Sequence, residues 1–379
     1  MTFPSRQCGA VLFAAVLPVC GCVSLLAQDA HGTAPAAPRL LVRVERGNIE
    51  VHGKEGASQV EWYAHIQHGH QRGQRKQSGF PAVSVTTVGN VLEIQGDQDV
   101  DLVVTMPARA AMVALRTDSG DLTLTDIATD AELLTDGGNV RVDHVTGQLH
   151  CHTDGGNVTL HTSGQANALS RLETGGGNML LDAADGNMLA TTGGGNVVVT
   201  AVHGNLKVES GGGNVTVHQA AGSVQLQTGS GNVEMGDIGG AVMAETGGGS
   251  IRLGSAKGMV RAETRAGAID CRQLGSGLKA ETGSGPIVAE YARDLHFLES
   301  RLETGSGNVT VWLPSQLRAA VQVAAENPFG HSITTEFHGI QVTNAHEDGE
   351  LRAQGLMNGG GPLLRVETQN GNVELLRVK

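Results

Sequence analysis

Apolar and polar residues alternate along most of this chain, and glycine interrupts the alternation at a fixed beat. From Thr192 the sequence reads T-G-G-G-N-V-V-V, H-G-N-L-K-V-E, S-G-G-G-N-V-T-V, A-G-S-V-Q-L-Q and T-G-S-G-N-V-E. Asn178, Asn196, Asn214 and Asn232 stand 18 residues apart, with Asn187, Asn205 and Ser223 midway, so the beat is nine. Period-two alternation predicts strands, and a short fixed repeat predicts that each strand stacks on its copy one turn later. The expected fold is all-β, a single parallel β-solenoid (β-helix) with two strands per 18-residue rung.

One rung sets out the logic. Leu206, Val208 and Ser210 alternate inward while Lys207 and Glu209 face solvent; Gly211-Gly212-Gly213 turns the chain; Val215 and Val217 then point inward from the second sheet. Glycine suits the corner through positive φ and close approach between rungs, so Gly212 is expected to resist a β-branched side chain. The corner position recurs as Asn139, Asn157, Asn178, Asn196, Asn214, Asn232 and Asn308, with Asp121, Ser250, Ala268 and Pro286 in equivalent places. Thr or Ser precedes it by four residues (Thr192, Ser210, Thr228, Thr246, Thr264, Thr282). Stacked in register, these hydroxyls and asparagines form a structural ladder of rung-to-rung hydrogen bonds.

The pattern divides the chain. Residues 1–28 read as an export signal, with Arg6 before the apolar Ala10–Val19, followed by small residues. Two processing routes fit: cleavage near Ala27 or Gln28, or a lipobox at Val19-Cys20-Gly21-Cys22 with Cys22 lipidated. Residues 29–39 are an Ala/Pro-rich linker, 40–116 an N-terminal β cap, 117–312 the solenoid repeats and 313–379 a C-terminal β cap. Solenoid ends expose unpaired edges, which is why caps are expected.

Composition narrows the chemistry. Glycine supplies 55 of 379 residues and aromatics only 3%, which suits a thin aliphatic core. The formal charge of −12 excludes the basic footprint that nucleic acid needs. Cys8, Cys20 and Cys22 lie in the leader; Cys151 and Cys271 fall on inward positions too many rungs apart for a disulfide. Glutamate precedes the threonine at Glu173, Glu209, Glu245, Glu263, Glu281 and Glu303, with Lys207, Arg261 and Lys279 two residues upstream of three of them. That column reads as a screened, solvated face, with a cation-binding stripe as the alternative. His65, His68 and His70 are close enough for a metal, but they sit in a polar loop without a completing acid or cysteine. No metal and no cofactor is expected.

The period slips twice. Asn157 to Asn178 spans 21 residues and Pro286 to Asn308 spans 22, which places insertions within Thr162–Ala168 and Tyr291–Glu299. The second carries Tyr291, Arg293, Asp294, His296 and Phe297, a concentration of hot-spot residue types that marks candidate partner contacts. In the competing reading, Tyr291 and Phe297 only cover the edge beneath the C-terminal cap.

Thr117-Asp-Ser-Gly-Asp121 after a strand ending Met106-Pro107, the T-G-x-G-N-V corners, Thr304-Gly-Ser-Gly-Asn-Val-Thr-Val-Trp-Leu-Pro314 and Asn370-Gly-Asn-Val373 together carry a resemblance. Over roughly residues 40–379 the chain resembles a bacterial family of exported β-strand-repeat proteins labelled putative adhesins, and is similar to its head-GIN type. The resemblance implies a β-solenoid in the cell envelope and brings no catalytic residues.

The functional expectation is a non-enzymatic exported envelope protein, an adhesin or interaction scaffold. It would sit in the periplasm, outer membrane or cell surface, and touch the membrane only through a lipid anchor. Its partner would be an envelope protein or a surface glycan. A carbohydrate-active β-helix enzyme is the first alternative; it lacks paired acids beside Trp62 or Trp312, the only tryptophans. A calcium-binding β-roll is the second, and its aspartate is missing where Val215-Thr216-Val217 follow Gly211-Gly212-Gly213-Asn214.

Overall fold

The computed structural model describes residues 29–66, 83–110, 112–164, 168–326, 330–343 and 350–378. The expected signal with Cys22, and the loop residues His68 and His70, lie outside them. Every described element is a strand. The strands form two sheets of 17 and 18 members. Successive rungs pair in parallel at an offset of 18: Val197 opposes Val215, Val215 opposes Val233, and Val233 opposes Ile251. The other sheet repeats this from Met188 to Leu206 to Val224. The all-β solenoid with two strands per rung is therefore what the chain forms.

Alternation buries Leu206, Val208 and Ser210, as it does Val215 and Val217. The strand Val215–Ala220 adds a third inward residue, Ala220, because two outward residues intervene between it and Val217. That one-residue shift is a bulge. At Asp126, His144 and Gln273 the extra residue takes a left-handed φ of 57°, 52° and 43°. The resulting column, which includes Val202, Ala220, Ile238, Ala256 and Leu274, runs along the core. Cys151 and Cys271 are both buried and unpaired, and burial pushes the Cys271 thiol up to about 12.

The ends close by intercalation. The rung Arg39–Arg46 with Ile49–Lys54 does not stack outside the next rung in sequence. It lies between Val91–Pro107 on one side and Met112–Ile127 on the other. The C-terminal end mirrors this, with Leu363–Thr368 and Val373–Arg377 between the 300–313 rung and the 319–335 segment. Parts of both regions expected to be caps are thus rungs of the same stack. Antiparallel strands cover the outer edges: Gln59–Ile66 and Asp29–Pro35 at one end, Val83–Val88 beside them, and Leu351–Met357 with Ile340–Thr343 at the other.

The corner differs from expectation in one respect. A Cβ on Gly213 would sit 2.0 Å from the Gly195 carbonyl oxygen, and one on Gly231 would sit 2.0 Å from that of Gly213. A Cβ on Gly212 would meet nothing nearer than Ser230 Oγ at 3.7 Å. Neither glycine has a positive φ in the left-handed range. Rung spacing, not backbone handedness, dictates glycine here, and it does so at the third corner position rather than the central one. The chain already places Ser230, Ala266, Ser284 and Ser306 at the centre.

Candidate functional site

Two ladders fix the corner, and they set the geometry of everything outside it. Buried Thr228 Oγ1 donates to the Gly213 carbonyl of the preceding rung at 2.8 Å and accepts from its own Gly231 N–H at 3.3 Å. The same pair of bonds recurs at Thr153, Thr174, Thr192, Thr246 and Thr264. The asparagine ladder rests mainly on the backbone: each backbone N–H donates to the side-chain oxygen of the asparagine one rung earlier, and at Asn157 and Asn178 the side-chain amide donates to that oxygen as well. Asn214 N–H reaches Asn196 Oδ1 at 2.9 Å, and Asn232 N–H reaches Asn214 Oδ1 at 2.8 Å. Asn139, Asn157, Asn178 and Asn308 serve as acceptors in the same way. Pro286, which has no N–H, follows Ala268, which has no acceptor.

The sequence pattern did not reveal how far this ladder extends. It runs through the intercalated rungs, from Asp101 to Asn48 to Asp121, and from Asn308 to Asn372 to Ser332. Asn214→Ala is expected to cost about 1 kcal/mol, because Asn232 N–H loses its acceptor to water, whereas Asn214→Asp keeps the oxygen. Chemical denaturation of the three proteins checks this. Equal midpoints for Ala and parent would remove the ladder from the stability account.

Outside the corner, one sheet face carries charge in columns. Glu245, Glu263, Glu281, Glu303 and Glu367 stack in register, and beside them stack Arg261, Lys279, Arg301 and Arg365. Same-strand ion pairs join Lys207 to Glu209 at 2.8 Å, Arg261 to Glu263 at 2.6 Å and Arg171 to Glu173 at 3.6 Å. Arg301 pairs with Glu303, and Arg365 with Glu367. Burial and neighbouring Glu367 hold the Glu303 carboxyl above its ordinary value, while Glu367 is drawn below it by Arg365 despite its own burial. Arg365 and Glu367 were legible as R-x-E-T, the spelling of Arg301 to Thr304, but not their place next to it. An open groove of about 460 Å³ follows the carboxylate column past Gln227, Glu245, Glu263, Glu281 and Arg265.

The second insertion divides. Tyr291 is fully buried and Phe297 is 9% exposed, and their rings meet edge to face with centroids 5.4 Å apart. Tyr291 pairs in register with Leu274 and so fills the third inward column. The expectation that these two aromatics offer a contact surface is corrected: they pack the core. Arg293, Asp294 and His296 are exposed. The loop folds back on the edge through Ala292 N–H to Leu274 O and His296 N–H to Gly275 O. The first insertion lies partly outside the described residues, and Leu169 beyond it is half exposed.

Histidines join neighbouring rungs elsewhere. His161 Nδ1 lies 2.7 Å from Asp182 and His203 Nδ1 lies 2.8 Å from Asp185. Their spacing is irregular, which hid them from any periodic reading. His65 bonds Asp29 at 2.7 Å, and Tyr63 with His65 holds that carboxyl below its usual range. Among the described residues no group of three His, Cys, Asp or Glu side chains is arranged to hold a metal.

Fold and corner together define a parallel β-solenoid closed at both ends. A family model described as Toastrack DUF4097 matches residues 74–219 and again 200–376, and the chain belongs to that family. A search of the curated proteins finds no match. Among solved structures, one described as a putative adhesin from Bacteroides fragilis is 15% identical, covering 59% of this chain and 96% of its own, with a TM-score of 0.33. A putative cell adhesion protein from Clostridium sporogenes is 9% identical over 92% of this chain and 100% of its own, with a TM-score of 0.17. A putative adhesin from Parabacteroides distasonis is 10% identical over 91% and 96%, with a TM-score of 0.21.

Proposed function

We propose that the chain is a non-enzymatic, exported envelope protein, an adhesin-like scaffold that presents lateral surfaces to an envelope protein or surface glycan. The observation that carries this reading is the in-register stack itself. Its interior is filled by interlocked aliphatic side chains, and its corners are bonded rung to rung, so its display surfaces are edges and faces held rigidly at fixed spacing. The leader pattern supports export, with cleavage or lipidation at Cys22 both open. Arg293, Asp294 and His296 are the contact residues this reading favours, because they are exposed on an inserted edge loop that the core pins from below.

The test has two parts. A tagged chain in its own cells should fractionate with the envelope. Purified protein should bind isolated envelopes, and the triple change Arg293→Ala, Asp294→Ala, His296→Ala should weaken that binding about tenfold without moving the melting temperature. Recovery in the cytosol, or the absence of binding by the parent protein, would overturn the reading.

A further inference from the structure

The columned face has a property that a merely solvated face lacks: it is complementary to itself. Its nine parallel strands run from Leu169–Thr174 to Leu363–Thr368. Two outward positions, two residues apart on each strand, form the columns. Six strands carry a basic residue and then an acidic one there, while Leu189 and Thr191, Gln225 and Gln227, and Met243 and Glu245 occupy them on the other three. From Arg261/Glu263 to Arg365/Glu367 the first is basic and the second acidic on every rung, and Lys207/Glu209 repeats the order further along. Gln225 and Gln227 occupy the same two positions on the rung between Lys207 and Met243.

We propose that this face is the interface of a parallel homodimer, with a two-fold axis running along the stack between the two columns. That axis lays the basic column of one copy over the acidic column of the other at the six levels that carry both charges, and the reverse, as an isologous contact requires. Each same-rung ion pair then becomes a four-charge cluster, and Gln225 meets the partner copy's Gln227. A two-fold axis across the stack would set like over like, so the charges select the parallel arrangement.

A further observation that favours a second copy is the area of the face. Nine strands at ~4.8 Å, each ~17 Å wide, present ~700 Å² per copy, or ~1,400 Å² in total, within the ~1,200–2,000 Å² of stable complexes. The insertion at 292–299 folds onto the edge and leaves the face clear.

Sedimentation equilibrium of the purified chain at ~50 mM and ~500 mM salt is the first test, with a dimer expected whose dissociation constant rises at least about tenfold at high salt. Charge reversal is the second. The variant R261E/K279E/R301E and the variant E263K/E281K/E303K should each be monomeric, and mixing them should restore a dimer. Should either reversed chain not fold, Gln225→Cys and Gln227→Cys in otherwise native chains replace them. Mixed and oxidised, these should give a heterodimeric disulfide, with Cys151 and Cys271 too buried to compete. A parent chain that stays monomeric at both salts, reversed variants that dimerise like the parent, or no mixed disulfide would each overturn the proposal.

Discussion

Gly213→Ala is expected to destabilise the solenoid by about 3 kcal/mol, while Gly212→Ala, one residue away, should change stability by less than ~0.5 kcal/mol. At Gly213 the added methyl would stand 2.0 Å from the Gly195 carbonyl oxygen, which is backbone and cannot swing aside. Relief requires the two rungs to separate, and that stretches the flanking ladder bonds from Asn214 N–H to Asn196 Oδ1 and from Ser210 Oγ to the Gly195 carbonyl, at 2.9 Å and 3.2 Å. At Gly212 the methyl enters open space beside Ser230, where the chain itself uses serine and alanine in other rungs. Guanidinium titration of both variants gives the answer. Equal midpoints would mean that the corner is not held by close approach.

Tyr291→Ser is expected to cost about 3–5 kcal/mol, and Tyr291→Phe nothing or a small gain. The ring is fully enclosed, packs edge to face on Phe297, and continues a largely aliphatic core column that includes Leu274 and Ala256. Its hydroxyl, beside Ser300, makes no well-formed hydrogen bond, and burial holds the phenol well above its ordinary pKa. Removing the hydroxyl therefore loses little, whereas removing the ring opens a cavity. Phe297→Ser should follow Tyr291→Ser with a smaller effect, because the two rings share one contact and their costs will not add. Thermal melts of the three variants decide it. A Tyr291→Ser protein as stable as the parent would return the residue to the surface.

These two residues show where the sequence was legible and where it was not. Period and alternation reveal which residues belong to a rung and which face most of them take, because both follow from strand geometry alone. They could not reveal the third inward column, since a bulge displaces it by one residue and breaks strict alternation. Tyr291 reaches that column by strict alternation from Ile287 and Ala289, because its own strand lacks the bulge, and it resembled a loop residue only because the break in the period begins there. The asparagine and threonine positions were readable, but the bond between them was not: whether an amide meets an amide or a backbone N–H depends on rung geometry, not residue type. Gly212 and Gly213 are indistinguishable as letters, and only the three-dimensional approach of the next rung separates them. The pairing of Arg39–Lys54 between two later segments was hidden for a related reason, because a repeat states what a strand can stack on, not which of many equivalent neighbours it chooses.

That choice bears on how such a protein changes length over generations. Because the first and last full rungs are each held between two others, and antiparallel strands cover the segments outside them, the described residues leave no free terminal rung to which a further copy could be appended. The interior is permissive: the corners at Asn196, Asn214 and Asn232 present interchangeable donors and acceptors, so an 18-residue duplication there finds a matching surface above and below. Growth and loss by unequal recombination are thus channelled to the middle of the gene, while the sequences encoding its two ends are inherited as fixed fittings.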